Sequence, residues 1–272
     1  MRFAVVIPAR NEALNIGRVL TNIRSLGPDL IVLVLNGCTD NTLEVAISNA
    51  SKNTHIISFP ESLGVDIPRA VGAHYAHRWG IGIITFIDGD MTGHINKAVE
   101  ELVHNINRGV DLALVNCYPY IGNRFPITRK MLYFRQKLNQ ELGLLRSLGL
   151  AVPSHGPHAV SRRLIKTIGV TPLGIPPVEL AMAHFSDLKI RVAAAIPHAQ
   201  MKSSIKPTSH ALLMAETIIG DCIEAIHLAR GNPRTREWEG VYFDGYNSSR
   251  RWDLLEHATE NIDKVRIWTN KE

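Results

Sequence analysis

Five short apolar runs in the first half of the sequence constrain the fold more than any other feature. They occupy residues 3–7, 30–35, 55–59, 81–87 and 111–115. Their starts lie about 25–30 residues apart, the length of a βαβ unit, with helical patterns between them. Runs that are apolar throughout are typical of parallel strands covered on both faces. The spacing therefore predicts an α/β fold, with a doubly wound and mostly parallel sheet.

The segments between these runs carry the start signals of helices. Asp40 is a natural N-cap for a helix over residues 41–48, and a turn at Thr92-Gly93 precedes a helix over residues 95–106. The first helix is predicted over residues 13–24. Its apolar side consists of Leu14, Ile16, Val19, Leu20 and Ile23.

After residue 117 the alternation of strands and helices weakens, which indicates a smaller second region. We predict a loop over residues 118–128, helices over residues 129–148, 178–185 and 209–229, and strands over residues 159–161 and 190–196. We therefore divide the chain into residues 1–117, residues 118–231 and a polar, aromatic tail from residue 232 to residue 272. The tail is expected either to pack on the body or to mediate association, for example into a homodimer.

Composition indicates an ordinary globular protein of 272 residues, with 45% hydrophobic and 20% charged residues. The three cysteines, Cys38, Cys117 and Cys222, have no paired spacing, so we expect neither a disulfide framework nor a zinc site, and a cytoplasmic location. No apolar stretch reaches the roughly 18 residues of a membrane helix, so we expect no integral membrane segment. The net charge of +5 suits a phosphate-rich ligand. No nucleic-acid partner is expected.

The strongest chemical motif is Asp88-Gly89-Asp90, which follows the fourth apolar run. Two carboxylates at a strand exit can meet a divalent cation together with a diphosphate, because Mg²⁺ and Mn²⁺ prefer hard oxygen ligands. Glycine between them would let the backbone approach a ligand closely. The alternative is a plain polar turn after a strand.

Three motifs occur in order at the ends of predicted strands. They are Pro8-Ala9-Arg10-Asn11-Glu12, Asn36-Gly37-Cys38-Thr39-Asp40 and Asp88-Gly89-Asp90. Together they resemble the nucleotide-sugar-binding half of the glycosyltransferase family that includes the dolichol-phosphate sugar synthases, over about residues 3–115. Members commonly read P-x-x-N-E, D-D-G-S-x-D and D-x-D at these places. The resemblance implies a glycosyltransferase A fold, in which residues 1–117 bind the donor and residues 118–231 form the acceptor side.

The resemblance also assigns donor-binding residues. Asn36 and Asp40 would flank the base and the first phosphate, with Asp88 and Gly89 close by. Asn36 stands where the family usually has Asp, which leaves the nucleobase open. The nucleoside pocket would be lined by Pro8, Ala9, Arg10 and Glu12, with Glu12 near the ribose. For Glu12 and Asp40, an acid in the first turn of a helix or an N-cap is an equally good interpretation.

A further segment around Gly64 and Arg69 resembles the family's G-K-x-x-A sequence, where a basic group meets the donor. The lysine is absent here, and Arg69 is the nearest cation. Arginine can bind phosphate through two parallel hydrogen bonds. A solvated arginine on a helix face is the alternative.

The second half is similar to the glucosyl-3-phosphoglycerate synthases in the order of its segments. The matching segments are residues 156–164, 175–180 and 190–198. This resemblance implies that Asp90 and His198 bind Mg²⁺ or Mn²⁺ and that Glu179 lies beside the sugar. The acceptor would meet His155, Gly156 and His158. His198 as an ordinary surface residue is the alternative.

These features together predict a metal-dependent glycosyltransferase that moves a sugar from a nucleoside-diphosphate sugar, with UDP favoured, to a soluble small-molecule acceptor. Glu179 would serve as the base of an inverting reaction or orient the sugar in a retaining one. An anionic acceptor, such as a phosphorylated one, could meet basic side chains that could equally be solvated. They are Arg124, Arg129, Lys130, Arg162, Arg163 and Lys166.

Three other functions compete with this interpretation. A sugar nucleotidyltransferase usually has a glycine-rich, basic loop after its first strand, and residues 8–12 do not form one. A dinucleotide-binding dehydrogenase or a methyltransferase is disfavoured because no Gly-x-Gly-x-x-Gly follows that strand. A non-catalytic nucleotide-binding module stays open, although the intact Asp88-Gly89-Asp90 argues against it.

Overall fold

The computed structural model describes residues 1–119, 126–154, 156–204, 207–262 and 265–269. Its strands are β1 (Phe3–Ala9), β2 (Leu30–Asn36), β3 (Thr54–Phe59), β4 (Ile83–Phe86), β5 (Leu112–Asn116), β6 (His158–Ser161), β7 (Ile190–Ala195), β8 (Glu237–Trp238), β9 (Val241–Tyr242) and β10 (Ile267–Thr269). Its helices are α1 (Ile16–Arg24), α2 (Thr42–Ser48), α3 (Ile67–Arg78), α4 (Asn96–Asn107), α5 (Pro126–Glu141), α6 (Leu145–Leu148), α7 (Arg162–Ile168), α8 (Pro176–Phe185), α9 (Thr208–Ala229) and α10 (Trp252–Glu260).

Eight of the described strands form one mixed sheet in the order β10-β3-β2-β1-β4-β6-β5-β7. The pairs β1–β2, β2–β3, β1–β4 and β5–β7 are parallel. Strand β6 lies between β4 and β5 and is antiparallel to both, with His158 opposite Phe86 and Ser161 opposite Ile83. The α/β fold with a mostly parallel sheet is therefore confirmed. The first five strands lie within two residues of the predicted runs at each end.

The core is built from the apolar runs, since every residue of β2 and β4 is buried. Helix α1 buries Ile16, Val19, Leu20 and Ile23 on the sheet, as predicted. Leu14 was placed on the same apolar side, and that prediction is wrong because its side chain is 98% exposed. The helix begins only at Ile16, so Leu14 precedes the first turn and does not follow the helical periodicity.

In the second region the long helix predicted over residues 129–148 is two helices, α5 and α6. Gly143, between them, has a φ of +69°, a left-handed conformation that ends a helix. Helix α5 begins earlier than predicted, at Pro126, because proline fits the first turn of a helix without loss of a hydrogen bond. Of the loop predicted over residues 118–128, residues 120–125 lie outside the described residues.

The tail packs on the body, as one of the two predictions expected. Helix α10 packs against α3, and β10 joins the sheet antiparallel to β3. The sheet thus takes strands from all three parts of the chain, and the division after residues 117 and 231 stays a prediction. Among the described helices, none is both long and apolar enough to cross a membrane.

Candidate active site

The first and third motifs meet at the carboxyl ends of β1 and β4. The Gly89 amide donates a hydrogen bond to the Pro8 carbonyl at 3.0 Å. A Cβ atom at Gly89 would lie 2.8 Å from the Ala9 Cβ. The sequence analysis expected Gly89 to let a ligand approach the backbone. In the structure it is the end of β1 that approaches Gly89. Gly89 is therefore needed to bring Asp88 and Asp90 against the first loop.

The second motif is hydrogen-bonded to the first. The Thr39 amide donates to Asn11 Oδ1 at 2.8 Å, and the Glu12 amide donates to Thr42 Oγ1 at 2.8 Å. Asp40 accepts hydrogen bonds from the amides of Thr42 and Ala13, at 3.0 and 3.2 Å. Desolvation of Asp40 acts to raise its pKa, but the hydrogen bonds from Thr42 and Ala13 outweigh it and lower the pKa. The three loops therefore form one connected edge.

Two residues that were predicted to bind the sugar-nucleotide donor have hydrogen-bond partners within the protein at this edge. The N-cap of α2 is Asn41, one residue after the predicted Asp40, and the Asp40 carboxylate accepts a hydrogen bond from the amide of Thr42, the first residue of the helix. Glu12 is only 6% exposed and accepts a hydrogen bond from Asn15 Nδ2 at 2.7 Å. Arg10, in contrast, is exposed beside the partly exposed Pro8. The predicted nucleoside contacts of these residues stay predictions.

Asn36 fixes the loop between β3 and α3. Its Oδ1 accepts a hydrogen bond from the Leu63 amide at 2.6 Å, and its Nδ2 donates to the Gly64 carbonyl at 2.9 Å. Gly64 has a φ of +83°, and a Cβ atom there would lie 2.4 Å from the Ser249 carbonyl oxygen. Asn36 and Gly64 thus shape the loop, whether or not they also touch a nucleobase.

Arg69 is buried and ion-paired, so its interpretation as a solvated arginine is wrong. It is 7% exposed, its Nη2 donates to Asp88 Oδ1 at 2.6 Å, and its Nη1 donates to Asp66 Oδ1 at 2.7 Å. Burial acts to lower the pKa of Arg69, but Asp88 and Asp66 outweigh it and raise the pKa. Arg69 is therefore charged and holds the first carboxylate of the Asp88-Gly89-Asp90 motif.

The ion pairs continue from Asp66 into the tail. Arg250 Nη2 donates to Asp66 Oδ2 at 3.3 Å, and its two terminal nitrogens each donate to Asp221 on α9 at 2.8 Å. Arg236 binds the same Asp221 at 2.5 Å, and its second carboxylate partner is Glu224 rather than Asp66. The row Asp88–Arg69–Asp66–Arg250–Asp221, called the charge relay below, connects the motif to α9.

The exits of β4 and β7 meet beside Asp90. Asp90 Oδ2 accepts hydrogen bonds from the amide and the hydroxyl of Ser204, at 3.1 and 3.0 Å. The Gly93 amide donates to the Met201 carbonyl at 2.9 Å. His198 begins the 3-10 turn that ends at Met201, and its ring is parallel to that of Tyr118 at a centroid distance of 6.3 Å. The structure thus places the segments of Asp90 and His198 next to each other.

Asp90 and His198 are side chains of the kind that an open cation site uses. Within the described chain, no three His, Cys, Asp or Glu side chains come together as a metal-binding group. Mg²⁺ and Mn²⁺ do not require such a group, because they commonly take one or two carboxylates and complete their shell with phosphate oxygens and water. The Asp90 carboxylate, with the segment of His198 beside its loop, fits that pattern, with the substrate supplying the remaining ligands.

Glu179 and His158 form a buried pair behind β4. Glu179, in the first turn of α8, is fully buried, and neither of its carboxyl oxygens has a hydrogen-bond partner. His158 Nε2 lies 3.9 Å from Glu179 Oε2, and its ring stacks on Phe86. Burial raises the pKa of Glu179 to about 8, although Arg69 opposes it. Burial, helped by Arg69, lowers the pKa of His158 well below its usual value. Both groups are therefore mainly neutral at pH 7.

The residues predicted to bind the acceptor differ in their surroundings in the structure. His158 is 2% exposed, so a ligand can meet it only inside the protein. Gly156 has a φ of +78°, and a Cβ atom there would lie 2.4 Å from Cys117 Sγ, which gives this glycine a packing role. His155 lies outside the described residues.

Three of the basic residues considered for an anionic acceptor lie at the wrong edge of the sheet. Because β6 is antiparallel to β4, Arg162, Arg163 and Lys166 follow it at the amino-terminal edge, opposite the three loops. Arg163 is paired there with Asp111 at 3.3 Å. Arg129 and Lys130 are exposed on α5, and Arg124 lies outside the described residues.

Arg135 is a buried cation that the sequence reasoning missed. It lies on α5, is 1% exposed, and donates one long hydrogen bond to Ser154 Oγ at 3.4 Å. Its guanidinium lies over the Tyr118 ring at 5.3 Å. The apolar positions Met131, Leu132 and Leu138 surround it in sequence at helical spacing, so a charge inside that stripe was the available signal.

Comparisons with known proteins bear on this site. A family model described as "Glycosyl transferase family 2" matches residues 4–169, more than half of the chain. No curated protein sequence matches significantly. A crystal structure of glucosyl-3-phosphoglycerate synthase from Mycobacterium tuberculosis in complex with Mn²⁺, uridine-diphosphate and phosphoglyceric acid has 20% identity and a TM-score of 0.61. It covers 85% of this chain and 79% of that one.

Another structure of the same M. tuberculosis enzyme, in complex with phosphoglyceric acid, has 21% identity and a TM-score of 0.60, and covers 85% of this chain and 81% of that one. A structure described as a mycobacterial protein has 20% identity and a TM-score of 0.61, with 85% and 76% covered. At such identities the similarity establishes a shared fold.

Proposed function

The chain belongs to glycosyl transferase family 2 and is a glycosyltransferase, and on that premise we propose that it transfers a sugar from a UDP-sugar to a small anionic acceptor with the help of Mg²⁺ or Mn²⁺. The observation that carries this proposal is the junction of the Asp90 and His198 segments at the edge formed by the three loops. The donor's diphosphate would lie at this junction. The M. tuberculosis structure that holds Mn²⁺ and uridine-diphosphate supports the choice of nucleotide and metal.

The chemistry of the transfer follows from where charge develops. As the bond from the anomeric carbon to the diphosphate breaks, negative charge grows on the leaving oxygen. A divalent cation bound by Asp90 and His198 would stabilise that charge. Arg69 acts one step away, because its guanidinium is occupied by Asp66 and Asp88 and orients the latter. Asp88 is one-third exposed and can accept a hydrogen bond from the donor.

Glu179 would contact the sugar as a neutral carboxylic acid. Its raised pKa keeps most of the carboxyl protonated at pH 7, so it can donate a hydrogen bond to a sugar hydroxyl. A base in an inverting reaction would have to be ionised, which this environment disfavours below pH 8. Its two unpartnered oxygens favour the orienting role over that of the base. Since Glu179 is fully buried, the sugar reaches it only when the surrounding chain opens.

Nucleotide binding tests the proposal directly. Isothermal titration of UDP, GDP and ADP into the protein, each with Mn²⁺ and then with EDTA, should give measurable affinity for UDP in Mn²⁺ and a loss of at least about tenfold in EDTA. Equal affinity in EDTA would remove the metal from the proposal. A preference for GDP or ADP would mean that the proposed nucleotide, UDP, is wrong.

The products separate the proposal from its nearest competitor. A glycosyltransferase supplied with a UDP-sugar releases UDP, whereas a sugar nucleotidyltransferase working in the synthetic direction releases pyrophosphate. Incubation of the protein with UDP-glucose and Mn²⁺, and with glucose-1-phosphate, UTP and Mg²⁺, followed by chromatography of the nucleotides, distinguishes them. Pyrophosphate release would overturn the proposed reaction.

A further inference from the structure

Arg135 differs from the other buried arginines of the described chain in having no carboxylate partner. The others are ion-paired at 2.5–2.8 Å: Arg69 with Asp88, Arg236 with Asp221, and Arg250 with Asp221. Arg135 is the most deeply buried of the four at 1% exposed. Its Nε atom has no hydrogen-bond partner. Among the described residues, this cation is therefore buried without a carboxylate to balance its charge.

The two contacts of Arg135 compensate only in part. The hydrogen bond to Ser154 Oγ is long, at 3.4 Å, and goes to a neutral hydroxyl. The contact with the Tyr118 ring is 5.3 Å from the centroid. A buried guanidinium needs hydrogen bonds and a counter-charge to offset its lost hydration, and neither contact provides the charge.

The position of Arg135 connects it to the candidate active site. Tyr118 contacts both Arg135 and His198, the predicted metal ligand. Ser154 belongs to the turn that leads into β6, whose first residue lies opposite Phe86 at the end of β4. An anion on Arg135 would therefore lie on the acceptor side of the predicted metal position.

We propose that Arg135 is the binding residue for a phosphate group of a substrate, held through its guanidinium. A planar guanidinium matches phosphate oxygens through two parallel hydrogen bonds. The proposal rests on the proposed function for the source of that phosphate, which is either the acceptor or the donor's diphosphate. Because the guanidinium is 1% exposed, the phosphate can reach it only if Tyr118 or the turn at Ser154 moves.

Thermal unfolding with inorganic phosphate as the probe tests the site without any assumption about turnover. Wild-type protein should gain several degrees in Tm at 10 mM phosphate, by about the mass-action relation. Arg135→Met should lose that gain. Without phosphate, Arg135→Met should be at least as stable as wild type, since methionine removes a buried charge that has no partner.

Arg236→Met is the matched control, because Arg236 is equally buried but has its carboxylates. It should lower Tm and leave the phosphate response intact. A purely structural Arg135 would give the opposite result: a destabilised Arg135→Met that still responds to phosphate, or one that fails to fold. Either result, or a wild type without any phosphate response, overturns the proposal.

Titration of UDP with Mn²⁺ then identifies the source. If Arg135→Met loses the phosphate response and keeps wild-type UDP affinity, the phosphate belongs to the acceptor. If UDP affinity also falls by about tenfold or more, the phosphate belongs to the donor. If wild-type protein binds phosphate at Arg135 but no UDP, the proposed donor is wrong and the anion site stands.

Discussion

Arg69 Nη2 donates a 2.6 Å hydrogen bond to Asp88 Oδ1, across the gap between α3 and the end of β4. The first carboxylate of the Asp88-Gly89-Asp90 motif is thereby committed to a cation of the protein. Asp90, in contrast, is held through Oδ2 by the amide and hydroxyl of Ser204. The two aspartates therefore differ in function: Asp88 is part of the charge relay, and Asp90 is the carboxylate proposed to meet the metal.

Asp90→Ala should weaken UDP binding in Mn²⁺ by at least about tenfold and abolish most turnover, because it removes the proposed oxygen ligand. The fold should persist, since a partly exposed loop carboxylate contributes little to stability. Titration calorimetry and a thermal melt measure the two effects. Ser204→Ala, which removes one of the two hydrogen bonds to Oδ2, is the milder comparison. Unchanged turnover in Asp90→Ala would rule out its role.

Arg250→Lys should weaken UDP binding by about threefold to tenfold, because lysine cannot bridge Asp221 and Asp66 and leaves Arg69 less firmly oriented on Asp88. Arg236→Lys shares the buried setting and the partner Asp221 but does not reach Asp66. Both variants should lose roughly 1–3 kcal/mol of stability, while only Arg250→Lys should change the dissociation constant. Equal dissociation constants in the two variants would limit the charge relay to a stabilising role.

His198→Ala should raise the Mn²⁺ concentration needed for half-maximal UDP binding by about tenfold, because one of the proposed protein ligands is lost. Metal-free affinity for UDP should stay nearly unchanged. Titration of Mn²⁺ at fixed UDP gives the first quantity, and titration of UDP in EDTA gives the second. A wild-type Mn²⁺ titration would make His198 a structural residue that stacks with Tyr118.

Glu179 should make stability fall with rising pH. Burial raises its pKa to about 8 from the ordinary 4.5 of a glutamate side chain, so the folded state retains a proton that the unfolded state has lost between those pH values. Stability is then full below about pH 4.5, falls by up to ~1.4 kcal/mol per pH unit through that window, and levels off above pH 8.

Glu179→Gln should remove this pH dependence, because glutamine is neutral at every pH in the range. Urea unfolding of wild type and variant at pH 5, 6.5 and 8.5 measures the effect. The variant should gain stability relative to wild type as pH rises. Parallel curves for the two proteins would show that Glu179 ionises normally in the folded state.

The sequence predicted the parallel part of the sheet well because its strands are buried on both faces and are therefore apolar throughout. It predicted β6 as a strand but not its direction, since four residues carry no signal for orientation. That direction moved Arg162 and Arg163 to the edge opposite the three loops. The predicted burial of Leu14 was wrong for a local reason. Periodicity does not show that the helix begins two residues later, at Ile16.

The site was predictable in outline and not in its contacts. The positions of the motifs could be identified in the sequence, but the ion pair between Arg69 and Asp88 could not, since the two residues are 19 positions apart on different elements. Likewise, Glu179 acquires its raised pKa from burial, with Asp66 adding to the rise and Arg69 opposing it, and neither residue is local in sequence. Arg135 lies within the apolar stripe of α5 and was not singled out from the sequence. Ion pairing and desolvation are tertiary properties, so they required the structure.

The antiparallel strand between β4 and β5 has a consequence for how this protein folds during synthesis. Strands β4 and β5 have no hydrogen bonds to each other and are joined only through β6, which begins at His158. A nascent chain that has emerged only as far as β5 therefore holds one sheet fragment, β3-β2-β1-β4, and an unpaired β5 strand. The charge relay that reaches Asp88 is completed by Asp221 and Arg250, which are made later still. A ribosome-bound chain should thus acquire nucleotide affinity late and abruptly, after most of its length has been made.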